Sequence, residues 1–324
     1  MDRPIELQRH SATLTDTTPE FPSEGNAVKP QSEGVKTGGL RVALVQSNSE
    51  VGSQTYDPRE ANLERAIAAI GKAAAAGAQL AVFGEMYLSG YRTDEWLHRW
   101  ASILDPPDPH VSAVVEVAAK HGIHVIMGLG AFGAKVPGDV YNTAILVGPT
   151  GVIGSYRKVH VAAFAQETGE VSQERCFYSP GKAIPVFPTA IGSIGLQVCY
   201  DLNFPEISRV QALEGADFIV NVSASDAHSI AHWEHVTFVR AVENAIWYIN
   251  CSVVGVQRGD RFFGGSRVVD PAGRVVAMGK VDEEDLVVAD LDLALGRKAR
   301  ARTHVFSTRA PALYSAISAP VGYP

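Results

Sequence analysis

From Leu40 onward, short apolar runs and longer helical segments take turns along the chain, and that alternation restricts the fold more than any other feature. Leu40-Arg41-Val42-Ala43-Leu44-Val45 reads as a buried strand. Asn62 to Ala76 is Ala-rich, with apolar residues at Leu63, Ile67 and Ile70, and Gln79 to Phe83 is the next strand-like run. Val111 to His121 has helical spacing, Gly122 is its stop signal, and Ile123 to Leu129 is extended. Such alternation argues for an α/β fold, because an apolar helix face and an apolar strand face cover one another. Two later segments, Ile145 to Val152 and Arg267 to Arg274, each place Pro-x-Gly between apolar runs and read as hairpins. Their likeness suggests two similar halves and a mixed, sandwiched sheet in place of a purely parallel doubly wound one.

Residues 1–39 mix Ser, Thr, Pro, Glu and Gly with almost no clustered apolar residues, so they read as a flexible tail that cannot offset the entropy of ordering. The folded domain is expected over residues 40–292, with 293–324 as a C-terminal extension. With 46% hydrophobic residues in 324, the chain has ample material for a core. A formal net charge of -7 gives no basic footprint for nucleic acid or an anionic membrane, which points to small, neutral or mildly polar substrates. No apolar run approaches the roughly 20 residues that span a bilayer, and the N-terminus has acids where a signal peptide would be basic and apolar. The three cysteines, Cys176, Cys199 and Cys251, lack framework spacing, so reduced thiols in a cytoplasmic protein are expected.

Three positions carry the chemistry. The apolar run Ile191 to Val198 leads into Cys199-Tyr200-Asp201, and Pro205-Glu206 then opens an amphipathic stretch with Ile207, Val210 and Leu213 on one face. A cysteine at such a strand-to-helix elbow has its sulfur exposed near backbone N–H donors, with helix N-terminal dipoles to favour the thiolate. On position alone it reads equally as a small buried thiol. Glu85 follows Leu80-Ala81-Val82-Phe83 through Gly84, at the strand end where α/β sheets place ligands; it fits a general base or an ordinary strand-end acid. Lys158, in Tyr156-Arg157-Lys158-Val159-His160, ends the second arm of the first hairpin and by itself reads as part of a solvated basic cluster.

Together, Gly84-Glu85-Met86, Tyr156 to His160 and Gly195 to Asp201 resemble, in order, the Glu, Lys and Cys motifs of the nitrilase superfamily of carbon-nitrogen hydrolases. The resemblance extends over residues 40 to about 315, through Pro180-Gly181, Phe204-Pro205-Glu206, Arg240 to Asn244 and Pro311-Ala312-Leu313-Tyr314. It implies a four-layer αββα sandwich completed by dimerisation, with Cys199 as nucleophile, Glu85 as base and Lys158 as oxyanion cation. It also implies metal-free, cofactor-free chemistry and a second glutamate just before Pro180-Gly181, which here is Glu174, with Glu170 and Glu167 as local competitors. Tyr200, Phe204, Tyr87 and His160, which flank the motifs, are expected to bind substrate.

The resemblance further implies acyl transfer to sulfur and then hydrolysis, with Lys158 and the Tyr200 backbone N–H holding the oxyanion. True nitrilases of the superfamily follow their cysteine with Trp-Glu, whereas Tyr200-Asp201 here resembles amidases and carbamoyl hydrolases, which favours an amide or ureido group over a nitrile. Leu202-Asn203 stand where carbamoyl-amino-acid hydrolases place arginines, leaving a neutral or amine-bearing amide as the leading substrate. Acyl transfer to an amine uses the same residues. His228, His232 and His235 have metal-like helical spacing but no completing ligand set besides Glu234, and Gly264-Gly265-Ser266 lacks the strand-turn-helix context of a phosphate loop. Cys251 reads as a small core residue, and neither it nor Cys176 has elbow context. Arg297, Lys298, Arg300 and Arg302, followed by the apolar Ala310 to Tyr314, suggest an extension at a homodimer or larger homo-oligomer interface; the resemblance implies that residues 206–214 and the helix around Arg240 share that interface.

Overall fold

A computed structural model of the chain describes residues 39–91, 93–133, 138–162, 174–226 and 229–319. The expected tail lies outside them apart from Gly39. The first half runs β1 (Leu40–Gln46), α1 (Arg59–Ala75), β2 (Leu80–Phe83), α2 (Pro109–His121), β3 (His124–Phe132), β4 (Val140–Gly148) and β5 (Gly151–Arg157). A short helix α3 (Glu174–Phe177) and strand β6 (Val186–Thr189) follow. The second half repeats the pattern: β7 (Gly192–Val198), α4 (Pro205–Leu213), β8 (Phe218–Ser223), α5 (Ile230–Asn244) and β9 (Trp247–Ser252). It continues through a separate hairpin, β10 (Val254–Gln257) with β11 (Asp260–Phe263), to β12 (Arg267–Val269) and β13 (Val275–Met278). Strand β14 (Asp285–Leu291) and helix α6 (Leu293–Thr303) come last of the longer elements.

Two six-stranded sheets result, ordered β14-β1-β2-β3-β4-β5 and β13-β12-β9-β8-β7-β6. In each, three parallel strands linked by helices continue into antiparallel hairpin strands. Strand β6 pairs antiparallel with β7, and β14 pairs in the same way with β1, so each half ends by sending a strand to the edge of the other half's sheet. The two hairpins read from Pro-x-Gly are β4–β5 and β12–β13.

Period-two alternation explains the layering. Val42, Leu44, Leu80, Val82 and Leu146 pack in one cluster with Ile194, Leu196, Val198, Val220 and Ile249, so the two sheets meet face to face. The intervening residues Ala43, Val45, Phe83, Val125 and Ile145 turn the other way and pack under Leu63, Ala66 and Ile70 of α1 and Val111 and Val114 of α2. Ile219, Tyr248 and Val269 do the same against Ala212 of α4 and Trp233 and Ala241 of α5. Each fully buried aliphatic side chain in these layers contributes about 1.5–3 kcal/mol. The layers are thus helices, sheet, sheet, helices. Helix α2 illustrates how local chemistry sets the boundaries: Asp108 accepts a hydrogen bond from the Val111 N–H at 2.9 Å, Pro109 occupies the first turn, and Gly122 closes the helix at a φ of 65°.

After Asp292, α6 covers Leu293–Thr303, followed by a 3₁₀ turn at Pro311–Leu313 and a short helix at Ser315–Ser318. The C-terminal extension beyond Arg302 thus contains two short helical turns.

Candidate active site

The C-terminal ends of β2, β7 and β8 converge with the end of β5, and the candidate residues sit at these ends. Gly84 makes the close approach possible: a Cβ there would lie 2.6 Å from Val253 Cγ2 and 2.8 Å from the Val253 nitrogen. With that space free, the Glu85 N–H donates to the Ser223 carbonyl at 3.2 Å, tying the first sheet to the second. Met86 then takes a φ of 52°, and Cys199, the residue after β7, takes a φ of 46°. Both turns place non-glycine residues in the left-handed region, where an L residue is strained and needs holding by its surroundings.

Glu85 is fully buried. Its Oε1 accepts from Lys158 Nζ at 3.0 Å and from Asn142 Nδ2 at 2.7 Å, and its Oε2 accepts from the Ala224 N–H at 2.9 Å. Lys158 is buried as well, so the solvated basic cluster is not its setting; its Nζ also lies 2.9 Å from Oε1 and 2.8 Å from Oε2 of Glu174. Glu174, at the start of α3, is buried and further accepts from the Tyr91 hydroxyl at 2.6 Å and the Ala162 N–H at 2.8 Å. Glu167 and Glu170 lie outside the described residues. One ammonium is therefore shared between two carboxylates, and the half-buried Cys199 thiol interacts directly with Glu85.

Burial penalises the Lys158 ammonium, but Glu174 and Glu85 outweigh that penalty and hold its pKa well above the ordinary lysine value. Burial raises the Glu85 pKa above the usual glutamate value, the Lys158 charge opposes this, and Glu174 adds to the rise. The Cys199 thiol is pushed well above its ordinary value, first by burial and then by the Glu85 charge, with Lys158 acting the other way. Burial first, and the Glu85 charge second, therefore oppose the thiolate that the elbow's dipole favours. A thiol beside a carboxyl group is an arrangement suited to proton transfer at the moment of attack.

The flanking aromatic residues separate into two groups. His160 stacks on Phe204, with ring centroids 3.5 Å apart and planes 6° from parallel, and Tyr200 meets Phe204 edge-on at 5.4 Å. These three gather beside the Cys199 turn. Tyr87 does not join them: it is buried among Phe83, Leu88 and the α1 and α2 residues, its ring 4.8 Å from that of Phe83. The left-handed turn at Met86 sends Met86 toward Tyr178, whose hydroxyl lies 3.8 Å from its sulfur, and sends Tyr87 into the helix-covered core. Asn142, Tyr91 and the Ala224 N–H enter the site without having been singled out in the sequence. Asn142 had a signal, a side-chain amide inside the apolar strand Val140–Gly148; Tyr91 and Ala224 had none.

Among the described residues, no group of three or more His, Cys, Asp or Glu side chains is placed to hold a metal ion. His232 Nε2 lies 2.5 Å from Asn203 Oδ1, His235 Nδ1 is 2.6 Å from the Ala231 carbonyl, and His228 lies outside the described residues. No helix among the described residues is long and apolar enough to cross a membrane.

Residues 41–301 match the family model described as carbon-nitrogen hydrolase. The chain belongs to the carbon-nitrogen hydrolase family. It is 33% identical over 266 residues to a nitrilase of Pyrococcus abyssi, covering 81% of this chain and 93% of that one. It is 30% identical over 278 residues to omega-amidase NIT2 of Bos taurus, covering 85% and 96%. The crystal structure of Nit3 from Saccharomyces cerevisiae, a member of branch 10 of the nitrilase superfamily, superposes with a TM-score of 0.74 at 28% identity, covering 85% of this chain and 97% of that one. This carbon-nitrogen hydrolase therefore has the nitrilase-superfamily sandwich and is an enzyme of C–N bond hydrolysis.

Proposed function

We propose that this carbon-nitrogen hydrolase cleaves the C–N bond of a small amide or ureido compound through a thioester on Cys199, releasing ammonia or an amine. The observation that carries the reading is the buried Glu85–Lys158–Glu174 group, with its shared ammonium, beside a thiol held on a left-handed turn. Glu85 takes the thiol proton as Sγ bonds to the carbonyl carbon, and returns it to the nitrogen as the C–N bond breaks. It then takes a proton from water as the hydroxyl adds to the thioester, and the sulfur leaves with that proton. Asn142 and the Ala224 N–H keep the carboxylate aimed through both steps.

An ammonium has three N–H donors. Two aimed at Glu85 and Glu174 leave a third for the oxyanion, shared with the Tyr200 backbone N–H, where a preorganised cation supplies several kcal/mol of transition-state stabilisation. His160, Phe204 and Tyr200 wall the substrate side, while Tyr87 belongs to the core. The similarity to a nitrilase favours a nitrile as the second reading, against which stands Tyr200-Asp201 after the cysteine.

Ammonia release from a panel of short amides, ureido compounds and nitriles, with intact-mass analysis of quenched turnover, tests the reading. Amide turnover with a mass increase of one acyl group on Cys199 is expected. Release from nitriles alone, or a Cys199→Ala variant that still turns over amides, would overturn it.

A further inference from the structure

One buried carboxylate close to the nucleophile plays no part in the proton transfers above. Asp201 is the third residue of the short 3₁₀ turn Cys199–Asn203, and its side chain is fully buried. Its Oδ2 accepts from the Val198 N–H at 3.2 Å and from the Tyr156 hydroxyl at 2.8 Å. Its Oδ1 accepts from the His160 N–H at 2.9 Å, and His160 Nδ1 lies 2.9 Å from the same oxygen. A carboxylate only accepts, so that separation puts a ring proton on Nδ1.

The donors come from two places. Val198 immediately precedes Cys199, so its bond closes the turn in which Cys199 is held at a φ of 46°. Tyr156 and His160 bracket Lys158 two residues to either side, at the end of β5 in the opposite sheet. Asp201 therefore spans the seam between the sheets and touches the backbone on the nucleophile's side and on the cation's side with different oxygens. We propose that Asp201 is a positioning residue that sets where Cys199 stands relative to Lys158, by pinning the nucleophile's strained turn to the strand end that carries the cation. The proposal rests on the Cys199–Lys158 chemistry proposed above.

The two-sided arrangement makes a specific demand on the side chain. Each oxygen receives one backbone N–H, and a backbone N–H cannot reverse its role. An asparagine there offers one oxygen and one NH₂, so in either orientation the amide nitrogen faces the N–H of Val198 or that of His160. The hydroxyl of Tyr156 and the imidazole can rotate or change tautomer; the backbone groups cannot. Asp201→Asn thus breaks one side of the link while keeping the volume of the residue. Asp201→Glu keeps both acceptor oxygens and the charge but lengthens the arm by one methylene, displacing the turn.

The wild type and each variant are prepared full-length in a Cys176→Ala background, because Cys176 is an exposed thiol that would also alkylate; Cys199 is then titrated with iodoacetamide to count competent sites, and kcat and KM are measured on an amide that the wild type accepts. The expected result is a fall in kcat per titrated thiol of about tenfold or more in both variants, with KM within about threefold, because a small misplacement of reacting groups acts on the chemical step. The iodoacetamide rate per thiol, which needs no substrate, is expected to change in parallel, so a wild type inactive on every amide would fail the proposed function without removing this readout. If Asp201→Asn does not fold, Asp201→Glu decides. Unchanged kcat per titrated thiol and unchanged alkylation rate, in whichever variants fold and even with a lowered melting temperature, would overturn the proposal and leave Asp201 a structural residue only.

Discussion

Replacing Lys158 with Met removes the ammonium that sits 3.0 Å from Glu85 and 2.8 Å from Glu174 and leaves two fully buried carboxylates facing a thioether. Removing one partner of a buried ion pair costs roughly 3–5 kcal/mol, most of it the desolvation of the charge left behind. The variant can escape part of that cost by protonating a carboxylate. Lys158 is what holds the Glu85 pKa down against burial and Glu174, so without it the pKa rises further. A carboxyl whose folded pKa lies above its unfolded value of about 4.3 binds more protons when folded, so stability falls as pH rises through that interval. The variant is therefore expected to lose the larger amount at pH 8 and less at pH 5. The wild-type lysine behaves in the opposite range: its raised folded pKa contributes stability that is complete below about pH 10.4 and is lost as pH climbs through the folded value. Catalysis suffers twice, since the Glu85 carboxyl is harder to ionise and the oxyanion loses its cation. The expected fall in kcat is on the order of 10²-fold or more, with the acid limb of kcat/KM displaced to higher pH. Denaturant unfolding at both pH values and initial rates across pH 5–9 measure these effects. Wild-type turnover, or a stability loss below about 1 kcal/mol that is the same at both pH values, would show that the shared ammonium does not govern this site.

Three other outcomes follow from the cysteines, the tail and the surface. Cys199→Ala should abolish turnover with an unchanged melting temperature, while Cys176→Ala and Cys251→Ser stay active; burial pushes the Cys251 thiol up to about 12, so iodoacetamide at pH 8 should leave it unmodified, as peptide mass mapping will show. Deleting residues 1–39 should leave kcat unaltered, and an inactive or unfolded product would show that the segment contributes to the domain. Helices α4 and α5 leave Leu213, Phe238, Val239 and Val242 exposed at 40–45%, and Leu313 beyond α6 at 79%, so a homodimer or larger assembly is expected; light scattering that gives the mass of a single chain at every micromolar concentration tested would reject it.

The strands and helices were legible because each carries its own signal. Leu40–Val45, Gln79–Phe83 and Ile191–Val198 announce buried strands by composition alone, whereas Glu85, Lys158 and Cys199 are each ambiguous by position just past a strand end and are singled out only by their joint resemblance to the family's motifs. What stayed hidden depends on pairs far apart in sequence. Asn142 reaches Glu85 across 57 positions, Tyr91 reaches Glu174 across 83, and no local pattern encodes either contact. Tyr87 shows the converse: two residues from Glu85 in sequence, it lies in the helix-covered core. One left-handed residue between them reverses the direction of the chain, and the side chain is spent on packing against Phe83.

The duplicated architecture explains why so few positions carry the chemistry. Strand β2 of the first half and β8 of the second occupy equivalent places, each the middle parallel strand of its sheet. Glu85 follows the first and Ala224 the second, and the two meet directly: the backbone N–H of one donates to the carboxylate of the other, while the N–H of Glu85 donates to the Ser223 carbonyl. The halves could not both supply a carboxylate there, since two buried anions at that distance would force one to take up a proton. One half therefore contributes charge and the other contributes backbone donors. Beside that pair, Lys158, just past β5, brings the cation and the turn after β7 brings the sulfur. On the reaction proposed for this seam, the two sheets must keep their spacing, which makes the contacts that cross between them, Glu85 N–H to Ser223 and Ala224 N–H to Glu85, a constraint on the chemistry.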